Sequence, residues 1–183
     1  MDRIGQDIRA LRKARGMTIA ECAGRLDRSV GWLSQVERGV TAPSVQDLGR
    51  IALLFDLNIS FFFRSAARQP EEQGLIVRAA DRSRIGSADT GLSEELLSPG
   101  LTGGFEMIRS VFAPGSKSEG IRPAREKEDG GVVISGRLVL QIGGRRFALG
   151  PGDSFQFRGA AYAWENPGDE PAEVIWIVSP PIY

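Results

Sequence analysis

The apolar residues of this chain change period once, between Arg64 and Leu75, and that change demands two unlike domains. Before it they recur at helical spacing, as in Ile4, Ile8 and Leu11 with Arg9, Arg12 and Lys13 between them, so that one stripe buries while cations face outward. After it they alternate in short runs broken by Gly, Pro and Ser: LIVRAA, FEMIRSVFAPG, GVVISG, RLVLQIGG, RRFALGPGD, SFQFRG and AEVIWIVSPP. Many short strands at this spacing predict a sandwich or barrel. The segment between, RSAARQPEEQG, is small and charged and reads as a linker. The boundaries expected are 1–64 for a helical domain, 65–74 for the linker and 75–183 for a β domain.

Charge follows the same division. The formal net charge is zero over 183 residues, yet residues 1–64 carry +3 and residues 65–183 carry −3, which raises the expectation of a nucleic-acid-binding head. No apolar run approaches the ~20 residues of a membrane span, and the start lacks a signal peptide, so the expected location is the cytoplasm. The lone Cys22 is read as a small core residue.

Local signals punctuate the helical part into five helices. Gly16 ends the first; Thr18 and Glu21 have the form of a capping box opening the second, which turns Cys22, Ala23 and Leu26 inward. Asp27 sits where a sharp turn needs a left-handed residue, and Ser29 caps a third helix running to about Arg38 with Leu33 and Val36 toward the core. Pro43 and Ser44 begin a fourth, carrying Leu48, Ile51, Ala52 and Phe55, and a fifth is expected over Ile59 to Phe63.

Three landmarks in this segment, IGQDIRALR, SQVERG and PSVQDLGRIA, resemble the phage-repressor-like, or xenobiotic-response-element, helix-turn-helix family. The resemblance implies that the third helix is the recognition helix, entering the major groove. It places Val30, Gly31 and Gln35 toward bases, with Gln35 able to pair with adenine and Val30 to meet a thymine methyl. Ser29, Trp32 and Arg38 then meet sugar and phosphate, and Thr18 stands at the start of the second helix beside the DNA backbone. The alternatives are plain structure: a cap for Ser29, a solvated charge for Arg38, partial packing for Trp32. In the family the positions of Arg12 and Glu37 form an internal ion pair. Two departures stand out: Ile19 occupies a place usually held by Gln that helps grip the backbone, and Leu53 and Phe61 occupy places commonly polar, so extra apolar surface is expected there.

Residues 130–181 resemble the second half of a cupin barrel. The overall expectation is therefore a two-domain α + β chain, an N-terminal five-helix bundle with a helix-turn-helix followed by a C-terminal antiparallel β-barrel of the cupin, double-stranded β-helix, type. The family's frame is intact at Pro151, Gly152, Asp153 and Asn166, but its metal ligands are not. Tyr162 stands at one His position; Pro123 and Arg125 stand near the paired His positions, or Arg122 and Ala124 if the alignment slips by one residue; Asp129 preserves an acid. The chain contains no histidine, and a guanidinium offers a metal no lone pair, so neither metal nor other cofactor is expected. Arg125 and Tyr162, with Arg109, form a candidate site for an acidic ligand, against the alternative that Arg125 lies on a solvated loop.

Together these features predict a non-enzymatic, sequence-specific DNA-binding transcription regulator, a homodimer on a two-fold operator whose metal-free cupin domain senses a small molecule. A cupin enzyme with a regulatory DNA-binding head and a cupin that only dimerises, with no effector, are the rivals.

Overall fold

The computed structural model describes residues 3–63, 70–72, 74–85, 91–101 and 103–181. Most of the expected linker, 65–69 and 73, lies outside the described residues, as does the expected boundary at Arg64. The contacts divide the chain into two units, one made of residues 1–84, 98–104 and 181–183, the other of 85–97 and 105–180. No helix among the described residues is long and apolar enough to cross a membrane.

Among the described residues the first unit holds four α-helices: α1 (Arg3–Ala14), α2 (Ile19–Arg25), α3 (Val30–Glu37) and α4 (Val45–Leu54). Each of the last three starts at a side-chain cap. Thr18 accepts from the Glu21 amide and Ser44 from the Asp47 amide, each completed as a capping box, while Ser29 accepts from the Trp32 amide. Asp27 turns the chain between α2 and α3 at φ 53°. The apolar stripes meet in one core, with Ile8, Leu11, Leu33, Ile51, Phe55 and Phe61 fully buried. Helix α1 approaches α3 closely enough that a Cβ at Gly5 would stand 2.1 Å from the carbonyl oxygen of Val36, so only glycine admits this packing.

The expected fifth helix is a correction: Ile59–Phe63 is a 3-10 turn, closed by the Phe61 amide on the Asn58 carbonyl at 2.9 Å. Five residues that must bury Phe61 and Phe62 against α4 have no length in which to build α-helical bonds. Phe61 enters the core, whereas Leu53 remains 79% exposed.

The sheets begin with β1 (Ser83–Ile85), which stands at one edge. Then come β2 (Leu92–Leu96), β3 (Glu106–Phe112), β4 (Glu128–Ser135), β5 (Leu138–Ile142), β6 (Arg145–Leu149), β7 (Ser154–Arg158), β8 (Tyr162–Glu165) and β9 (Ala172–Ser179). They form a six-stranded sheet, β1-β2-β3-β9-β4-β7, and a three-stranded sheet, β6-β5-β8. The expected barrel is corrected accordingly: the two ladders are separate, and what joins the faces is packing, with Phe112 of β3 against Trp164 of β8 at 4.7 Å and Tyr162 of β8 against Trp176 of β9 at 5.6 Å. The β5–β6 hairpin turns on Gly143 and Gly144, both at positive φ, as a two-residue turn between twisted strands requires.

Two further differences have one cause. LIVRAA is no strand; Leu75 is 73% exposed and Ala79–Asp81 is a 3-10 turn. LSEEL, polar enough to pass as a loop, is β2, with Leu92 and Leu96 buried on its inward face. Pairing with β3 across five residues decides the matter, not local hydrophobicity.

Candidate functional site

On α3 the inward face is Leu33, Val36 and Glu37, all buried, and the outward face carries Val30 at 46% exposure with exposed Gly31, Gln35 and Arg38. The Gln35 amide oxygen accepts from the Thr41 hydroxyl at 3.1 Å, which orients its NH₂ group while leaving one oxygen lone pair open. Thr18 and Ser29 are exposed and engaged as caps. Trp32 is half-buried, with the Arg28 guanidinium 5.0 Å from its ring centre. Arg38 is the C-cap of α3.

Beneath this face Arg12 and Glu37 meet through two hydrogen bonds, 2.6 and 2.8 Å, their side chains only 12% and 5% exposed. Arg12 also donates to the Met17 carbonyl at 2.9 Å. The hydrogen bond to Glu37 raises the Arg12 pKa above its ordinary value, so the guanidinium keeps its charge. Burial pushes the Cys22 thiol up to about 11, which leaves it protonated and inert beside this pair.

In the second unit a polar cluster stands on the inward face. Arg122 donates to the Tyr162 hydroxyl at 3.3 Å and lies 5.8 Å from its ring centre. Tyr162 is 9% exposed, and burial raises its pKa. Glu94 accepts from Ser110 at 3.1 Å, and Asp129 accepts from the Trp176 indole at 2.9 Å. Burial raises both carboxyl pKa values, against the lowering effect of Arg122.

Residues 3–58 match the helix-turn-helix domain family, and residues 108–178 match the cupin domain family. The chain joins a helix-turn-helix domain to a cupin domain. It is 25% identical over 166 residues to the HTH-type transcriptional regulator PuuR of Escherichia coli (strain K12), covering 88% of this chain and 86% of that one. It is 28% identical over 94 residues to the transcriptional regulator ClgR of Mycobacterium tuberculosis (strain ATCC 25618 / H37Rv), covering 51% of this chain and 84% of that one. The hydroxypropylphosphonic acid epoxidase of S. wedmorenis shares the fold, with a TM-score of 0.51 at 15% identity over 96% of each chain.

The helix-turn-helix domain thus brings Val30, Gly31, Gln35 and Arg38 to one exposed surface. The cupin domain sets Arg109 apart from Tyr162, while Arg125 lies close enough to act on Tyr162 through its charge. Arg109 alternates with the inward Ile108 and Ser110, so it faces the other way and is held by Glu173 at 2.7 Å and Glu95 at 3.3 Å. Arg125 is exposed on the loop before β4, and Arg122, three residues earlier, is the guanidinium hydrogen-bonded to Tyr162. Arg28 and Glu94 escaped the sequence reading; the only signal for Glu94 was its even spacing from Leu92 and Leu96.

The residues at the cupin metal positions do not fit a metal. Tyr162, with Pro123 and Arg125 or Arg122 and Ala124, stands where the resemblance puts imidazoles, and among the described residues no three His, Cys, Asp or Glu side chains converge. The raised carboxyls give a pH dependence. Glu94 and Asp129 take up protons at higher pH in the folded than in the unfolded state, so the cupin domain gains stability as pH falls from neutral toward the ordinary carboxyl range. Melting curves between about pH 7 and pH 5 should show this gain, and Glu94→Gln should reduce it; an unchanged pH dependence in the variant would contradict the assignment.

Proposed function

We propose that this protein is a transcription regulator that binds a specific DNA operator as a homodimer and responds to a small molecule in its cupin domain. The observation that carries the DNA reading is the outward face of α3, where Val30, Gly31 and Gln35 are exposed on a helix whose other face is anchored by Leu33, Val36 and Glu37. Such a helix fits the major groove with its N-terminal residues at base edges, and two copies read half-sites roughly 34 Å apart. Thr18, Ser29, Trp32 and Arg38 border that face and meet the sugar-phosphate backbone. Operator binding implies action in the cytoplasm, where the DNA is.

For the effector, the emptied metal positions supply Arg122 and Tyr162 with Arg125 nearby, a donor set suited to an acidic ligand and unsuited to metal-assisted chemistry. The domain is therefore read as a sensor and not as a catalyst. A bound effector stabilises the fold in proportion to the logarithm of its concentration over its dissociation constant, so a thermal-shift screen of metabolites identifies it.

The direct test is selection of bound duplexes from a random pool, expected to return a two-fold symmetric site. Gln35→Ala should then relax preference at one position in each half-site, losing about 1–3 kcal/mol of discrimination there. A random outcome of the selection sinks the DNA reading; an unaltered preference removes Gln35 from the readout.

A further inference from the structure

Arg28 precedes the recognition helix by two residues and is held more firmly than an exposed arginine ordinarily is. Its Nε and Nη2 both donate to Oδ1 of Asp47, at 3.0 and 2.7 Å. Its guanidinium lies over the indole of Trp32, 5.0 Å from the ring centre. Asp47 is itself buried, 4% exposed, and its other oxygen accepts from the Ser44 hydroxyl at 2.7 Å. Two partners 19 and 4 residues away in sequence therefore fix one long side chain whose own surface is 41% exposed.

Asp47 takes the Nε–Nη2 edge and the Trp32 ring covers the guanidinium plane, and Nη1 has no hydrogen-bond acceptor among the described residues. Arg28 lines an open notch of about 510 Å³ together with Gly24, Asp27, Ser29 and Trp32, at the start of α3. An arginine set this way has already lost its rotational freedom on folding, so a ligand oxygen at Nη1 orders nothing further.

We infer that Arg28 is a DNA-backbone contact, donating from Nη1 to a phosphate flanking the half-site, with Asp47 and Trp32 as its positioning residues. This rests on the DNA-binding reading above. Phosphate is the partner because Arg28 lies on the turn and not on the face that carries Val30 and Gln35, and because a planar cation pairs with a phosphate oxygen whatever the neighbouring base. It also compensates for Ile19, which has no hydrogen-bonding group to offer the backbone. Asp47 lowers the net charge of the pair; it remains ionised because Ser44 and Arg28 more than offset the effect of its burial.

The test measures binding of the full-length protein to the selected operator and to a random-sequence duplex as a function of salt. Arg28→Ala should weaken both by a similar factor, roughly tenfold, and make the slope of log K against log salt shallower by about one. Arg28→Lys keeps the cation but loses the fork and the stack; it should keep the wild-type slope at reduced affinity. Helix content by circular dichroism confirms that each variant is folded. Equal slopes for wild type and Arg28→Ala overturn the inference and leave Arg28 a brace for α4; loss of preference at a single base overturns it in favour of base readout. Should Arg28→Ala not fold, a slope in Arg28→Lys shallower than wild type by about one overturns it, and an unchanged slope with weakened affinity supports it. A wild-type chain that binds neither duplex refutes the DNA reading instead.

Discussion

Replacing Glu37 by Ala destabilises the helix-turn-helix domain by about 3–5 kcal/mol, read from the loss of helical signal in urea. The size follows from what is left behind. Arg12 keeps its charge, 12% exposed, with Nε and Nη2 stripped of the carboxylate that received them at 2.6 and 2.8 Å. Only its bond to the Met17 carbonyl remains. The pair braces α1 and the end of α2's entry turn against α3, so operator binding falls with stability because the recognition helix loses its seat. Removing both charges with apolar side chains of similar volume, Arg12→Met with Glu37→Leu, should recover most of the loss, since a buried pair costs nearly as much in desolvation as it returns. A single-variant loss below about 1 kcal/mol would show that water reaches the pair freely.

In the cupin domain the largest effect is expected at Asn166, which is fully buried. Its Nδ2 donates to the carbonyls of Phe112, Ala113 and Glu170 at 3.0, 3.2 and 2.8 Å, and its Oδ1 accepts from the Gly168 amide at 2.9 Å. One side chain thus satisfies four backbone groups in the turns that follow β3 and precede β9. Asn166→Ala removes these bonds; the Ala113 carbonyl keeps the Ser116 amide and hydroxyl, at 3.1 and 2.6 Å, and at about 1–3 kcal/mol for each of the other groups that water fails to reach, a loss of roughly 3–5 kcal/mol is expected in the melting of the cupin domain. Asn166→Asp is the sharper variant. At neutral pH it turns a carboxylate toward three carbonyl oxygens, and its stability should improve as pH falls, because the folded state then favours the protonated acid. A variant as stable as the wild type, or one whose stability drops with pH, would contradict this network.

What could be read along the chain was local. Thr18 with Glu21, and Pro43 with Ser44, are legible as helix starts because the signal lies within a few neighbouring residues. Asp27 was legible as a turn because few residues accept φ 53°. The pairing of Arg12 with Glu37 came through the family resemblance, since nothing along the chain links positions 25 residues apart. Arg28 and Asp47, 19 residues apart, carried no such signal, and neither did the 3-10 geometry of Ile59–Phe63. On strands the difficulty was parity. A slip of one residue turns a side chain from one face to the other, so Arg109 was read toward the ligand site when it faces Glu173.

By itself, then, the sequence determined the division into a helical head and a β domain, the helix starts, and the absence of imidazole from the cupin positions, because period, caps and composition are properties of neighbouring residues or of the whole chain. Only the tertiary structure decided which guanidinium meets Tyr162, that a polar-looking segment enters the sheet as β2, and that Arg28 is held ready between Asp47 and Trp32. Those depend on which strand pairs with which, and on side chains far apart in the chain arriving at one point with the right face turned inward.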